Sequence, residues 1–157
     1  MKIGLIVFSQ TGNTRGVSNK IAGKLSSAGH DVKIEEISIE GKTPAQPGQF
    51  KLINVPDINN YEAVIFGAPV QAFSLNPVMK EYLEQVESLA NKNVACFVTK
   101  QIPLLWFGGT GSIATMRNIC KEKGANILGT EIVVWAEAKR NRSIENCINN
   151  ISQLFKQ

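Results

Sequence analysis

Lys2-Ile3-Gly4-Leu5-Ile6-Val7-Phe8, followed without a break by Ser9-Gln10-Thr11-Gly12-Asn13-Thr14, is the stretch from which the rest of the chain can be read. Its first part is a nearly unbroken apolar run of strand length, the pattern of a strand buried on both faces of a parallel sheet. Its second part is polar around a single glycine. Beyond it Val17, Ile21, Leu25 and Ala28 recur at the helical period and share one face, and Gly29 supplies a C-terminal stop. A buried strand, a tight polar turn and an amphipathic helix make the first half of a βαβ unit.

The same alternation continues outward. Ala63 to Gly67 and Val94 to Val98 are further apolar runs, whereas Asp31 to Ile37 and Ile127 to Trp135 mix apolar with polar residues and read as sheet edges. Val78, Met79, Tyr82, Leu83, Val86 and Leu89 predict a second helix, with Asn76 as its N-cap and Pro77 at its first position. Ile113, Met116, Ile119 and Cys120 predict a third, ended by Gly124. Ile144, Ile148, Ile151, Leu154 and Phe155 predict a fourth, capped by Ser143. Strands alternating with helices imply right-handed crossovers and a doubly wound α/β sandwich. Three interior and two edge strands fit a five-stranded parallel sheet of order 2-1-3-4-5 with helices on both faces. Ser38 to Asn60, broken by Gly41, Pro44, Pro47, Gly48 and Pro56, is expected to be a mostly irregular crossover.

A length of 157 residues suits a single domain spanning 1–157. Hydrophobic residues at 43% and charged ones at 19% exclude the disordered and collagenous classes. No apolar run approaches the ~20 residues of a membrane span or the length of a signal h-region, so a soluble cytoplasmic protein is expected. Cys96, Cys120 and Cys147 have no disulfide or metal-site spacing and are expected to be buried free thiols. His30, the one histidine, removes His-rich metal sites and is expected at the surface. The formal charge of +4 is dispersed except at Lys139, Arg140 and Arg142, and no nucleic-acid motif accompanies it.

In a doubly wound sheet ligands bind at the carboxyl ends of the strands, beside the point where strand order reverses. Here that point lies between the first and third strands, where Ser9-Gln10-Thr11-Gly12-Asn13-Thr14 leads into the first helix. Gly12 permits close backbone approach, the helix start offers N–H groups, and Ser9, Thr11, Asn13 and Thr14 add neutral donors, a composition suited to a phosphate. An NTPase P-loop needs Gly-Lys followed by Ser or Thr, which this chain lacks. A receiver domain needs carboxylates where Phe8 and Ser9 stand. Gly109-Thr110-Gly111-Ser112-Ile113-Ala114 imitates a dinucleotide fingerprint, but it does not follow a strand directly and belongs to the fourth junction.

Phe8-Ser9-Gln10-Thr11-Gly12-Asn13-Thr14 resembles the phosphate-binding signature of flavodoxins, and the resemblance extends over the order of elements and the length of the chain, of the short-chain type. It implies non-covalently bound FMN, with the phosphate held by Ser9, Gln10, Thr11, Gly12, Asn13 and Thr14. It further implies that the loops Ala68-Pro69-Val70-Gln71-Ala72-Phe73-Ser74 and Thr99-Lys100 through Trp106-Phe107-Gly108-Gly109 enclose the isoalloxazine, with Phe73, Trp106 and Phe107 as stacking candidates. The implied function is electron transfer to a redox protein, with no catalytic acid or base, no metal and no membrane association. The alternatives are a small FMN-dependent NAD(P)H or quinone reductase and a flavin-free docking module.

Two departures from that family stand out. Many flavodoxins carry a glycine in the loop after the third strand, where this chain has Val70, Gln71 and Ala72. A positive φ there costs a non-glycine residue steric energy, which argues against strong stabilisation of half-reduced flavin. Flavodoxins are also usually acidic. A positive chain with basic residues after the fifth strand implies a partner with an acidic docking surface.

Overall fold

The computed structural model describes residues 1–101, 108–136 and 138–156. In chain order the elements are β1 (Lys2–Val7), α1 (Asn13–Ser27), β2 (Asp31–Glu36), β3 (Ser38–Gly41), β4 (Phe50–Asn54), β5 (Ala63–Gln71), β6 (Ser74–Leu75), α2 (Pro77–Gln85), β7 (Asn93–Lys100), α3 (Gly109–Glu122), β8 (Asn126–Val134) and α4 (Arg140–Leu154). The central sheet runs β2-β1-β5-β7-β8, all parallel, which is the expected 2-1-3-4-5 order when its parallel strands are counted alone. Period-two alternation sends the side chains of β1 to both faces. Ile3, Leu5 and Val7 join Val17, Ile21, Ile144 and Ile151 beneath α1 and α4. Ile6 joins Phe66, Met79, Tyr82 and Met116 beneath α2 and α3. Helices on both faces explain why the interior strands lack polar alternation.

Register sets where the chemistry can sit. Val7 pairs with Gly67, and Gly67 in turn with Phe97, so the strands that end beside the predicted ligand loops finish along one edge. Asn76 caps α2 as expected, its Oδ1 accepting the Val78 N–H at 2.8 Å, with Pro77 directly after it. All three cysteines are free and buried.

The structure corrects several expectations. Ser38–Asn60 contains an antiparallel pair, β3 with β4, because Ile39, Phe50 and Leu52 find core to cover while the glycines and prolines gather in and beside the connecting loop. Strand β5 does not stop at Gly67 but runs on through Pro69, Val70 and Gln71 into a hairpin with β6. Ser143 does not cap α4, which starts at Arg140; its Oγ instead accepts the Val134 N–H at 2.8 Å, tying the helix to the end of β8. Ala28 is exposed beyond the end of α1. His30 is buried rather than exposed: its N–H bonds the Leu25 carbonyl at 3.1 Å in the closing turn of α1, and with Ser152 of α4 it lines a cavity of about 590 Å³. His30 Nδ1 and Ser152 Oγ have no partner among the described residues and are sealed from solvent, so that cavity offers a ligand no access to them.

Glu131 lies on β8 under α4, where burial raises its carboxyl pKa and the Asn150 amide, donating at 2.7 Å, partly offsets the rise. A carboxyl raised on folding makes the folded state bind its proton more tightly. Its contribution is therefore most favourable below the unfolded carboxyl value and is lost as pH rises through the folded one. Glu131→Gln keeps the acceptor for Asn150 and removes the charge. Its unfolding midpoint at neutral pH should exceed that of the parent by a few degrees, with the gap closing in acid; thermal melts across pH 4–8 check this.

Candidate functional site

Three chain segments meet at the carboxyl edge of the sheet. The first leaves β1 through buried Phe8, whose N–H reaches the Gly67 carbonyl at 3.1 Å. Gly12 occupies the N-cap of α1 in the left-handed region, φ 90°, and has no side chain with which to cap. Ser9 does that work from three residues back: its Oγ accepts from the Gly12 N–H at 3.2 Å and the Arg15 N–H at 3.3 Å. The Gly16 N–H closes the first turn on the Gly12 carbonyl at 2.9 Å. Asn13 and Thr14 therefore present first-turn N–H groups with no acceptor inside the helix. No acidic residue stands in that turn, and a Cβ built on Gly12 would meet nothing within 4 Å. The helix start is donor-lined, has no acidic residue in its own first turn and is accessible to an anion.

Thr14 is turned inward. Its hydroxyl meets that of Thr99 at 3.0 Å, both side chains being buried, and so stitches the helix start to the end of β7. Arg15 stays at the rim, with Nη1 3.1 Å from Glu36 Oε1 and Nε donating to Asn19 Oδ1 at 3.1 Å.

The second segment is the hairpin after β5. Val70 pairs with Leu75 and Gln71 with Ser74, leaving Ala72 and Phe73 as a two-residue loop. Both lie at positive φ, 49° and 63°, the pattern of a type I′ turn that normally selects Asn and Gly. Positive φ is thus adopted here without a glycine. The Phe73 side chain is 60% exposed at the tip. Gln71, expected to be a flavin contact, spends its carboxamide on the protein. Its Oε1 accepts from Gln10 Nε2 at 3.2 Å and Asn76 Nδ2 at 3.0 Å, and its Nε2 donates to the Ala45 carbonyl.

The third segment follows β7. Thr99 and Lys100 belong to the strand itself and are buried; burial pushes the Lys100 ammonium pKa down, and the Lys100 carbonyl accepts the Trp135 N–H at 2.7 Å. Trp106 and Phe107 lie outside the described residues. Gly108, at φ 94°, caps α3, and a Cβ on it would sit 2.6 Å from Phe73 backbone atoms. Gly109 packs on the Lys100 stem. The fingerprint-like glycines therefore belong to the first turn of α3, Gly109 on the Lys100 stem and Gly111 in open space, while Gly108 just before them meets the hairpin turn.

Of the expected residues, the structure brings together Ser9, Gln10, Thr11, Gly12, Asn13 and Thr14 with Pro69, Val70, Gln71, Ala72 and Phe73 and with Thr99, Lys100, Gly108 and Gly109. The bonds Gln10–Gln71 and Thr14–Thr99 and the Gly108–Phe73 contact join the three segments pairwise. An anion cradle beside an exposed aromatic turn fits a ligand with a phosphate at one end and a planar ring at the other. What the sequence reading missed is the platform beside Lys100: the Arg140 guanidinium lies 5.3 Å from the Trp135 ring centroid and its Nε donates to the Trp135 carbonyl at 3.0 Å. A tryptophan ending the fifth strand, with an arginine five residues on, was the available signal. Lys139 and Arg142 are exposed.

A search of curated protein sequences found no match. Among solved structures, flavodoxin 2 of Bacillus cereus superposes with a TM-score of 0.70 at 20% identity, covering 99% of this chain and 97% of that one. The two-electron reduced flavodoxin of Megasphaera elsdenii gives 0.69 at 18%, covering 96% and 98%. The Trp repressor binding protein of Bacillus subtilis gives 0.69 at 13%, covering 100% of both, so at this level the likeness is one of fold. Residues 5–103, more than half of the chain and including the whole of the phosphate cradle and the hairpin turn, match the profile described as a flavodoxin domain. The chain therefore belongs to the flavodoxin-domain family, whose members bind FMN and transfer electrons.

Proposed function

We propose that this single domain, residues 1–157, carries electrons between proteins on FMN held non-covalently by the three joined segments. The observation that carries this reading is the start of α1 at Gly12, where Asn13 and Thr14 keep N–H groups with no acceptor in the helix and the first turn holds no acidic residue, tied through Gln10 and Gln71 to the turn that displays Phe73. In this reading Ser9 fixes the cradle, the Asn13 and Thr14 N–H groups receive the phosphate with Thr11 as a neighbouring hydroxyl, and the Ala72-Phe73 turn lies against one side of the ring. Gly108 keeps that turn and the α3 start in contact, and Gly109 leaves room for the Lys100 stem. The bound flavin supplies the redox chemistry; the chain binds it, orients it and limits its exposure to water. Pro69, Val70, Thr99, Lys100, Trp106 and Phe107 complete the proposed surroundings. Mixing the FMN-loaded, chemically reduced protein with an oxidised acceptor protein tests the reading: the acceptor should be reduced, and the loaded protein alone should not consume NADPH in the presence of a quinone. Steady NADPH turnover would instead make it a reductase.

The partner in this reading presents an acidic surface. Lys139 and Arg142 are exposed near the end of β8, while Arg140 is committed to Trp135. Lys139→Glu with Arg142→Glu should slow electron transfer to such a partner about tenfold at low salt and flatten its salt dependence; stopped-flow rates at two ionic strengths check this, and unchanged rates refute the assignment of that patch. Three free, buried thiols fit a reducing compartment, and the cytoplasm is the location proposed. Among the described residues no helix is long and apolar enough to cross a membrane.

A further inference from the structure

The Ala72-Phe73 turn is a strained element in a place where strain needs a counterweight. Two consecutive non-glycine residues at φ 49° and 63° sit in the left-handed region, which an L side chain adopts at a steric cost. Such a conformation persists only where the surroundings over-determine it. On one side the turn is backed by Gly108, whose missing side chain lets its backbone approach Phe73. On the other side the residue entering the turn, Gln71, is bonded to three separate parts of the chain. Its carboxamide accepts from Gln10 of the phosphate cradle and from Asn76, the fully buried N-cap of α2, and donates to the carbonyl of Ala45, itself fully buried in the β3–β4 loop. Asn76 is in turn fixed by the Val78 N–H.

We propose that Gln71 is a positioning residue: its carboxamide holds the Ala72-Phe73 turn in its positive-φ shape and in register with the phosphate cradle, so that the ring side of the site is formed before flavin arrives. This rests on the FMN reading above. Without Gln71 the turn relaxes toward negative φ, and the apparent affinity falls by the fraction of molecules that keep the competent shape. The Ser9 bonds that shape the start of α1 do not involve Gln71 and are kept; the cradle loses only the Gln10 link to the turn. Relief of the backbone strain at position 72 supplies a rescue. A glycine at position 72 adopts positive φ without penalty, so the turn should keep its shape even when Gln71 no longer holds it.

The test is the set Gln71→Leu, Ala72→Gly and the double substitution, each read by FMN titration of the apoprotein and by amide exchange of Ser74, which pairs with Gln71 across the turn. Gln71→Leu should weaken FMN about tenfold and speed Ser74 exchange by a similar factor. Ala72→Gly lies in the turn itself and serves as the reference for the double substitution: against it, adding Gln71→Leu should change FMN affinity and Ser74 exchange by no more than about twofold, so that the double substitution recovers most of both losses. A residue that merely supported the fold would not be rescued by removing a methyl group from its neighbour. The proposal is overturned if Gln71→Leu binds FMN like the parent, or if the double substitution is as weak as Gln71→Leu. If none of the four proteins binds FMN the functional reading fails, and the Ser74 exchange pattern in the apoproteins still decides whether Gln71 holds the turn.

Discussion

Gly12→Asp should weaken FMN binding by at least ~100-fold while leaving the apoprotein folded and its affinity for riboflavin within a few-fold of the parent. Three facts combine to give so selective an outcome. A Cβ at this position meets nothing within 4 Å, so a side chain can leave the backbone here without a clash at its root. Aspartate tolerates the left-handed region better than most residues, so the backbone at φ 90° is kept at modest cost. The carboxylate, however, stands at the first turn of α1, where no acidic residue now competes for the free N–H groups. Two unit charges ~4 Å apart at a protein surface repel by roughly 4 kcal/mol before salt screening, which is about a thousandfold in affinity and remains near a hundredfold after partial screening. Gly12→Asn, with nearly the same shape and no charge, should lose only a few-fold. Paired titrations with FMN and riboflavin separate the effects; equal losses for the two flavins would show that Gly12 does not face the phosphate.

A large stability effect is expected where Gly67 meets Phe97. The partner of Gly67 across the sheet is Phe97, whose ring lies over it so closely that a Cβ on Gly67 would be 2.3 Å from Cζ and 2.4 Å from Cε1. Phe97 is fully buried in the core beneath α1 and α4, so the ring has little room to yield. Gly67→Ala should therefore cost ~3 kcal/mol, a loss of ~10 °C in Tm for a chain of this size. Phe97→Ala alone should cost about 3–5 kcal/mol through the cavity it leaves. Because the new methyl group occupies part of that cavity, the double substitution should cost less than the sum of the two by ~1–2 kcal/mol. Denaturant unfolding of the three variants checks the cycle, and strict additivity would contradict the packing described. The Gly67 carbonyl also receives the Phe8 N–H at the root of the phosphate cradle, so Gly67→Ala should weaken FMN as well.

The parallel sheet was legible because its signal is physical at every step. Strands covered on both faces must be apolar throughout, as in β1, β5 and β7, and edge strands need not be, as in β2 and β8. The cradle was legible because a helix start that binds an anion needs a glycine and neutral donors next to each other in sequence. The β3–β4 pair was not, since its apolar residues Ile39, Phe50 and Leu52 are separated by a long loop and only their packing on the core aligns them. The burial of His30 was hidden for a similar reason: α4, whose Ser152 lines the same cavity, is more than a hundred residues away. Gln71 shows the limit most plainly. Its place in the motif-bearing loop pointed to a ligand contact, whereas its partners Gln10, Ala45 and Asn76 come from three different segments and emerge only when the chain is folded. The same holds for Ala72, whose sequence argued against the positive φ that it adopts.

Everything proposed for this chain depends on FMN being held by the joined loops at the carboxyl edge of the sheet. Titrating the purified apoprotein with FMN, followed by flavin fluorescence and visible absorbance, tests it most directly. The predicted result is saturation at one FMN per chain with a dissociation constant below a micromolar, consistent with a phosphate cradle and an aromatic turn acting together, and with the fluorescence quenched by contact with aromatic side chains. Flavin that remains fluorescent and unbound at micromolar concentration would contradict the account.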